Sequence, residues 1–145
     1  MDNKNLIIAE ISSAITAVLG TSAAAVMRKA GRQASLRIWP ELPSGKTVVE
    51  AGEIMAKGVS ELQGFGEFQL KPGDSPNSGV IEFKECAFSG FTKDSGQPCG
   101  KQAICYFGFG LVEETFFRLT GIRAKIELVN RDDGTRICFE TATPR

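Results

Sequence analysis

Histidine is absent from this 145-residue sequence. Its absence removes the commonest metal ligand, the commonest general base and the usual proximal haem ligand. Neither sign of charge is in excess, with Lys+Arg and Asp+Glu at 17 each, so nothing draws the chain to nucleic acid or to an anionic membrane surface. No apolar run reaches the roughly 18 residues of a membrane span. The opening MDNKNLIIAEISSAITAVLG is interrupted by Glu10, and Lys4, beside Asp2, is the one cation ahead of its apolar stretch. It reads as a helix of the mature protein, which is expected to be cytoplasmic. Glycine patterns that cradle phosphate or a dinucleotide are missing as well, because GFGEFQ and GFGLVE lack the third glycine. Cysteine is sparse, at Cys86, Cys99, Cys105 and Cys138. In a cytoplasmic protein these are thiols, a metal site or a redox switch rather than a disulfide framework.

What remains describes a single domain over residues 1–145. A chain of this length buries roughly two thirds of its surface on folding and holds a core without staples. LIIAEISSAITAVLG sets Leu6, Ile7, Ile11, Ile15, Val18 and Leu19 near helical spacing, with Gly20 to end the helix. A second helix, capped by Thr21 or Ser22, runs through SAAAVMRKAGRQASLRIW and stops before Pro40. Its many alanines suit an inner position, and Arg28, Lys29, Arg32 and Arg37 read as a solvated face. After the turn ELPSGK comes a third helix, with Thr47 as cap and Glu50 in the capping-box position. EFQLK and VIEFKE alternate as two strands of a hairpin. SGFTKDSGQPCG is a loop, and KQAICYFGFGLVEETFFRLTG is a long aromatic helix ended by Gly121. AKIELVN and TRICFE follow as strands about Asp133-Gly134, a strong hairpin signal. The order predicts an α+β fold, with helices packed on one face of a four-stranded, mainly antiparallel sheet.

A two-residue turn at Asp133-Gly134 pairs Val129 with Cys138 and Glu127 with Glu140. Ile126, Leu128, Ile137 and Phe139 then share the helix-facing side, and Glu127, Val129, Cys138 and Glu140 share the other. This register is an assumption, since a slip of one residue exchanges the faces. Under it Cys138 is either a partly buried thiol or half of a site with two carboxylates nearby.

The segment Cys105 to Glu140 resembles the C-terminal half of the 4-vinyl reductase domain: a cysteine opening a glycine-bearing helix, a glutamate-bearing strand, a short turn and a last strand with a cysteine. It stands here as CYFGFGLVEETFFRLTG, KIELVN and RICFE, with KAGRQA at 29–34 and ECAF at 85–88 matching upstream elements. The resemblance implies the fold shared with vesicle-tethering subunits and haem-based nitric-oxide sensors. It also implies an apolar pocket for a small hydrophobic molecule (hydrocarbon, aromatic or tetrapyrrole-like) and a homodimer. Some members of that family bind zinc. Carried over, Cys105, Glu127 and Cys138 match the ligand positions; Asn130 breaks the fourth, which Cys86 or Cys99 would fill. The resemblance thus implies Zn2+ as the cofactor, if there is one. Members that bind phenols use a pocket histidine, which this chain lacks.

Three functions follow as expectations. The first is non-enzymatic binding or sensing of a small hydrophobic molecule, with Trp39, Phe83, Tyr106, Phe109, Gly110, Phe116 and Phe117 as lining residues. Gly108 and Gly110 interrupt a helix at about 1 kcal/mol each against alanine, which asks for close packing or room for a guest. The second is a cysteine-based redox or metal-dependent switch, with Cys99 and Cys105 at the start of the long helix as the redox pair. The third is an accessory or reductase role in tetrapyrrole vinyl-group metabolism, though no hydride source is visible. Ending at TATPR, the chain is expected to carry no DNA-binding domain and to act on a partner, carry a ligand or belong to a larger context.

Overall fold

The computed structural model of the chain describes residues 3–62, 64–89 and 99–145. Most of the expected SGFTKDSGQPCG loop, Phe91 included, lies outside the described residues. The elements run α1 (Asn3–Leu19), a short 3-10 turn (Gly20–Ser22), α2 (Ala23–Ile38), α3 (Val48–Ser60), β1 (Glu67–Pro72), β2 (Gly79–Lys84), α4 (Ala103–Thr120), β3 (Ala124–Asp132) and β4 (Ile137–Pro144). The strands form one antiparallel sheet in the order β1-β2-β4-β3. Helix α2 lies along α4, α3 covers β1, and α4 packs on β3. The predicted α+β architecture is the observed one.

Local chemistry accounts for most boundaries. Thr47 accepts from the Glu50 backbone N–H and Glu50 accepts from the Thr47 N–H, both at 3.1 Å, completing the capping box of α3. Gly121 ends α4 in the left-handed conformation, φ 77°, that glycine adopts without strain. Neither Thr21 nor Ser22 caps α2 as expected; the 3-10 turn runs into α2, and Ser22 makes no side-chain cap hydrogen bond.

Helix α1 faces the opposite way from its apolar spacing. Its buried residues are Ala9, Ser12 and Thr16, while Ile7, Ile11 and Val18 are 61%, 54% and 82% exposed. The two buried hydroxyls explain this orientation. Ser12 Oγ accepts from the Ile104 N–H and Thr16 Oγ1 from the Ala103 N–H, each at 3.0 Å. The first turn of α4 has no intrahelical partners for its N–H groups, and α1 supplies them. By length and composition alone, the helical stretch Asn3–Ile38 contains a window apolar enough to cross a membrane, a measure the count of uninterrupted apolar residues missed.

The α2–α4 seam is built on glycine. A methyl at Gly31 would overlap the Phe107 carbonyl, and one at Gly110 the Arg28 carbonyl, so the two backbones touch. Around this crossing the expected solvated basic face is partly buried. The Glu113 carboxylate takes Arg32 at 3.2 Å, Arg28 at 3.5 Å and the Ile126 N–H at 2.9 Å, while Arg28 also donates to the Ile126 carbonyl at 2.7 Å. Both hydrogen-bonding groups of Ile126, on the outermost strand β3, are thereby satisfied by helix side chains. Farther along, Ser35 and Thr115 share a hydroxyl hydrogen bond of 2.8 Å, and Arg118 holds the Ser35 and Trp39 carbonyls at the end of α2.

The β3–β4 register departs from the two-residue turn. Asp132 pairs with Ile137, Arg131 with Cys138 and Asn130 with Phe139; a bulge at Val129 then brings Leu128 opposite Glu140 and Ile126 opposite Ala142. The Asp132 carboxylate accepts from the Gly134 N–H at 2.9 Å, and Arg136 takes a left-handed φ of 59°, so four residues make the turn. The longer turn shifts the pairing by two and keeps its parity; the bulge at Val129 is what exchanges the faces of β4 relative to Ile126 and Leu128. Cys138, Glu140 and Ala142 are buried toward the helices, and Ile137 and Phe139 lie half-buried on the outer side.

Candidate functional site

With β4 turned this way, a cavity of about 70 Å³ opens between the N-terminal half of α4 and the inner face of the sheet. Strands β1 and β2 contribute Phe68 and Phe83, α3 contributes Val59, and α4 contributes Ile104, Cys105, Gly108, Phe109, Leu111 and Val112. Phe65 stands edge-on to Phe83 and Phe88, with ring centroids 6.0 and 6.3 Å away, closing one wall. Gly100, at φ 95°, lets Leu128 approach the chain where a β-carbon would meet it, bringing Cys99 to the cavity just before α4 begins. Gly108 is the open side of α4, since a β-carbon there meets nothing within 4 Å. The two unexplained helix glycines thus divide: Gly110 serves backbone contact, and Gly108 leaves space.

All four cysteines border this cavity, and none is in a disulfide. The Cys99 thiol is in hydrogen-bonding contact with both Cys105 and Cys138. The Gly100 N–H donates to Cys105 Sγ at 3.3 Å, and Arg131 Nη1 donates to Cys138 Sγ at 3.2 Å. Arg131 is in turn held by Asp133 at 3.3 Å. The Cys99 contact, followed by burial, pushes the Cys138 thiol well above its ordinary range. Contact with Cys105 raises Cys99 in the same direction. Burial pushes Cys86 up to about 11. These three are therefore thiols rather than thiolates at neutral pH.

Glu140 is the polar group of the cavity; the sequence sets it beside Cys138 on one face of β4, as expected, but that face turns toward the helices rather than away from them. It lies between Ile81 and Leu128 on the neighbouring strands, is 7% exposed, and borders the cavity. No hydrogen bond joins its carboxyl to any of the described residues. Burial, then the neighbouring Cys138, raises it from 4.5 to about 8, so it carries a proton at neutral pH. Glu113 makes the contrast: at 5% exposure it is as deeply buried, yet it is bound by two guanidiniums and a backbone N–H.

The predicted lining residues scatter. Phe83 and Phe109 border the cavity. Phe116 is core, at 1% exposure, and Gly110 faces α2. Tyr106 leans edge-on against Phe109 at 5.8 Å beneath the Arg28 guanidinium, and Phe117 lies under Arg123 at 3.6 Å. Trp39 belongs to a separate hollow of about 340 Å³ with Leu42, Ile54 and Met55. Of the predicted metal set, Cys105 and Cys138 come together, but Glu127 does not join them. It is on the outer face, ion-paired with Lys125 at 3.0 Å. Among the described residues no three His, Cys, Asp or Glu side chains are arranged to hold a metal ion. The predicted zinc set therefore does not fit. The predicted redox pair, Cys99 and Cys105, is in contact.

No protein-family model and no curated protein matches the chain.

Proposed function

We propose that the protein binds a small, largely apolar molecule, without catalysis, in the cavity between α4 and the sheet. The observation that carries this reading is a hollow walled by phenylalanine rings, aliphatic side chains and cysteines, with one unpartnered buried carboxyl at its edge. Binding sites for small molecules are mostly apolar with a few polar handles. At about 70 Å³ the space suits a guest of a few heavy atoms and is far too small for a tetrapyrrole. The resemblance to 4-vinyl reductase domains agrees with this reading. Isobutene is a suitable probe. Its addition is expected to shift the backbone amide resonances of Cys105, Gly108 and Glu140 and leave those of α3's outer face unchanged. Absence of any shift at saturating isobutene refutes the proposal. Native mass spectrometry of protein from its own source then identifies the natural guest.

A second reading rests on Cys99 touching both Cys105 and Cys138. A peroxide would oxidise one thiol to a sulfenic acid, releasing water or an alcohol. The neighbouring thiol would then displace water to give a disulfide. Elevated thiol pKa values slow the first step. Counting free thiols before and after hydrogen peroxide tests this: loss of two is expected, and an unchanged count ends it.

A further inference from the structure

We propose that Glu140 makes the cavity selective for guests bearing a neutral hydrogen-bond acceptor, such as a ketone or aldehyde carbonyl, over hydrocarbons of the same shape. This inference rests on the cavity being a binding site. Its basis is the difference between the two buried glutamates. Glu113 is hydrogen-bonded by Arg32 and the Ile126 N–H and ion-paired with Arg28. Glu140, nine-tenths buried, has Ile81 and Leu128 on either side and no hydrogen-bond partner among the described residues, and it faces the empty space.

A buried polar group without a partner is unfavourable, and a guest atom that accepts its proton removes that penalty. A carboxylic acid has one O–H to donate. The other walls reinforce the selection. The ring edges and aliphatic carbons of Phe83, Phe109 and Leu128 suit the alkyl part of the guest. The structure therefore points to a small neutral carbonyl compound with its oxygen at Glu140 and its alkyl groups against α4.

Acetone and isobutene test this directly, because they share a shape and differ by an oxygen in place of a methylene. Dissociation constants for both are measured by amide chemical-shift titration at pH 6.5 in the wild type, Glu140→Leu and Glu140→Gln. In Glu140→Leu the ratio of acetone to isobutene affinity is expected to fall about tenfold, the scale of one hydrogen bond. In Glu140→Gln, whose amide still donates, the ratio is expected to stay within a few-fold of the wild type. An unchanged ratio in Glu140→Leu overturns the inference while leaving the cavity as an apolar site. Failure of isobutene to bind the wild type removes the underlying reading. Tighter binding of isopropylammonium than of acetone overturns the inference in favour of a cation site.

Discussion

Replacing Gly108 with alanine should make the protein more stable and a poorer binder at once. Alanine in place of glycine inside a helix gains roughly 0.5–1 kcal/mol, because the unfolded chain loses freedom it would otherwise surrender on folding. At position 108 nothing offsets the gain, since the new β-carbon meets no atom within 4 Å. In a chain of about this length, 1 kcal/mol moves Tm by roughly 2–4 °C. Gly110→Ala, half a helical turn away, is the matched control. There the β-carbon overlaps the backbone of Arg28 on α2, and backbone cannot rotate aside. Overpacking of this kind costs roughly 1–3 kcal/mol, enough to outweigh the helix gain. Urea unfolding followed by circular dichroism separates the two, with the midpoint rising for one variant and falling for the other at constant m-value. The methyl at 108 also takes space from a cavity of only about 70 Å³, so isobutene affinity should drop at least tenfold even as the fold tightens. If Gly108→Ala is destabilised as much as Gly110→Ala, the open flank of α4 is wrong and the cavity with it.

Glu140 should make stability pH-dependent in an unusual direction. Its folded pKa is raised from 4.5 to about 8, so between those values the folded chain keeps a proton that the unfolded chain releases, and stability falls as pH rises. Glu140→Gln should match the wild type near pH 4 and exceed it by on the order of a few kcal/mol at pH 8, measured by urea unfolding at each pH. Glu113→Ala should cost roughly 3 kcal/mol by the same assay, because it leaves the largely buried Arg28 guanidinium and the Ile126 N–H without their acceptor, while the part-exposed Arg32 turns to solvent. Replacing Ser12 or Thr16 with alanine should each cost about 1 kcal/mol and speed hydrogen exchange at Ile104 and Ala103 respectively, with little change elsewhere in α4.

The fold was legible wherever a residue acts on its own few neighbours. Thr47 and Glu50 name a helix start, Gly121 a helix end and Asp133-Gly134 a turn, and each marks an element where it was expected. The candidate site was not legible, because it depends on the parity of one register. The alternation of β4 separates Ile137 and Phe139 from Cys138, Glu140 and Ala142 either way, and apolar character favours burying the first set. A bulge decides otherwise: the four-residue turn moves the pairing by two residues and keeps the parity, and the unpaired Val129 between Leu128 and Asn130 exchanges the faces. Helix α1 misled for a related reason. Its isoleucines suggest the inner side, yet the unpaired N–H groups of α4 require the side that carries Ser12 and Thr16. A short polar residue that answers another element's need leaves no trace in hydrophobic spacing.

Contact between the backbones at Gly31 and Gly110 acts as a fulcrum. Helix α4 has no slack toward α2 there, and beyond it Thr115 and Arg118 pin the C-terminal half. Tilting the opening turns of α4 about that point would stretch the bonds to Ser12 and Thr16 and so pull on α1, the helix whose isoleucines are turned outward.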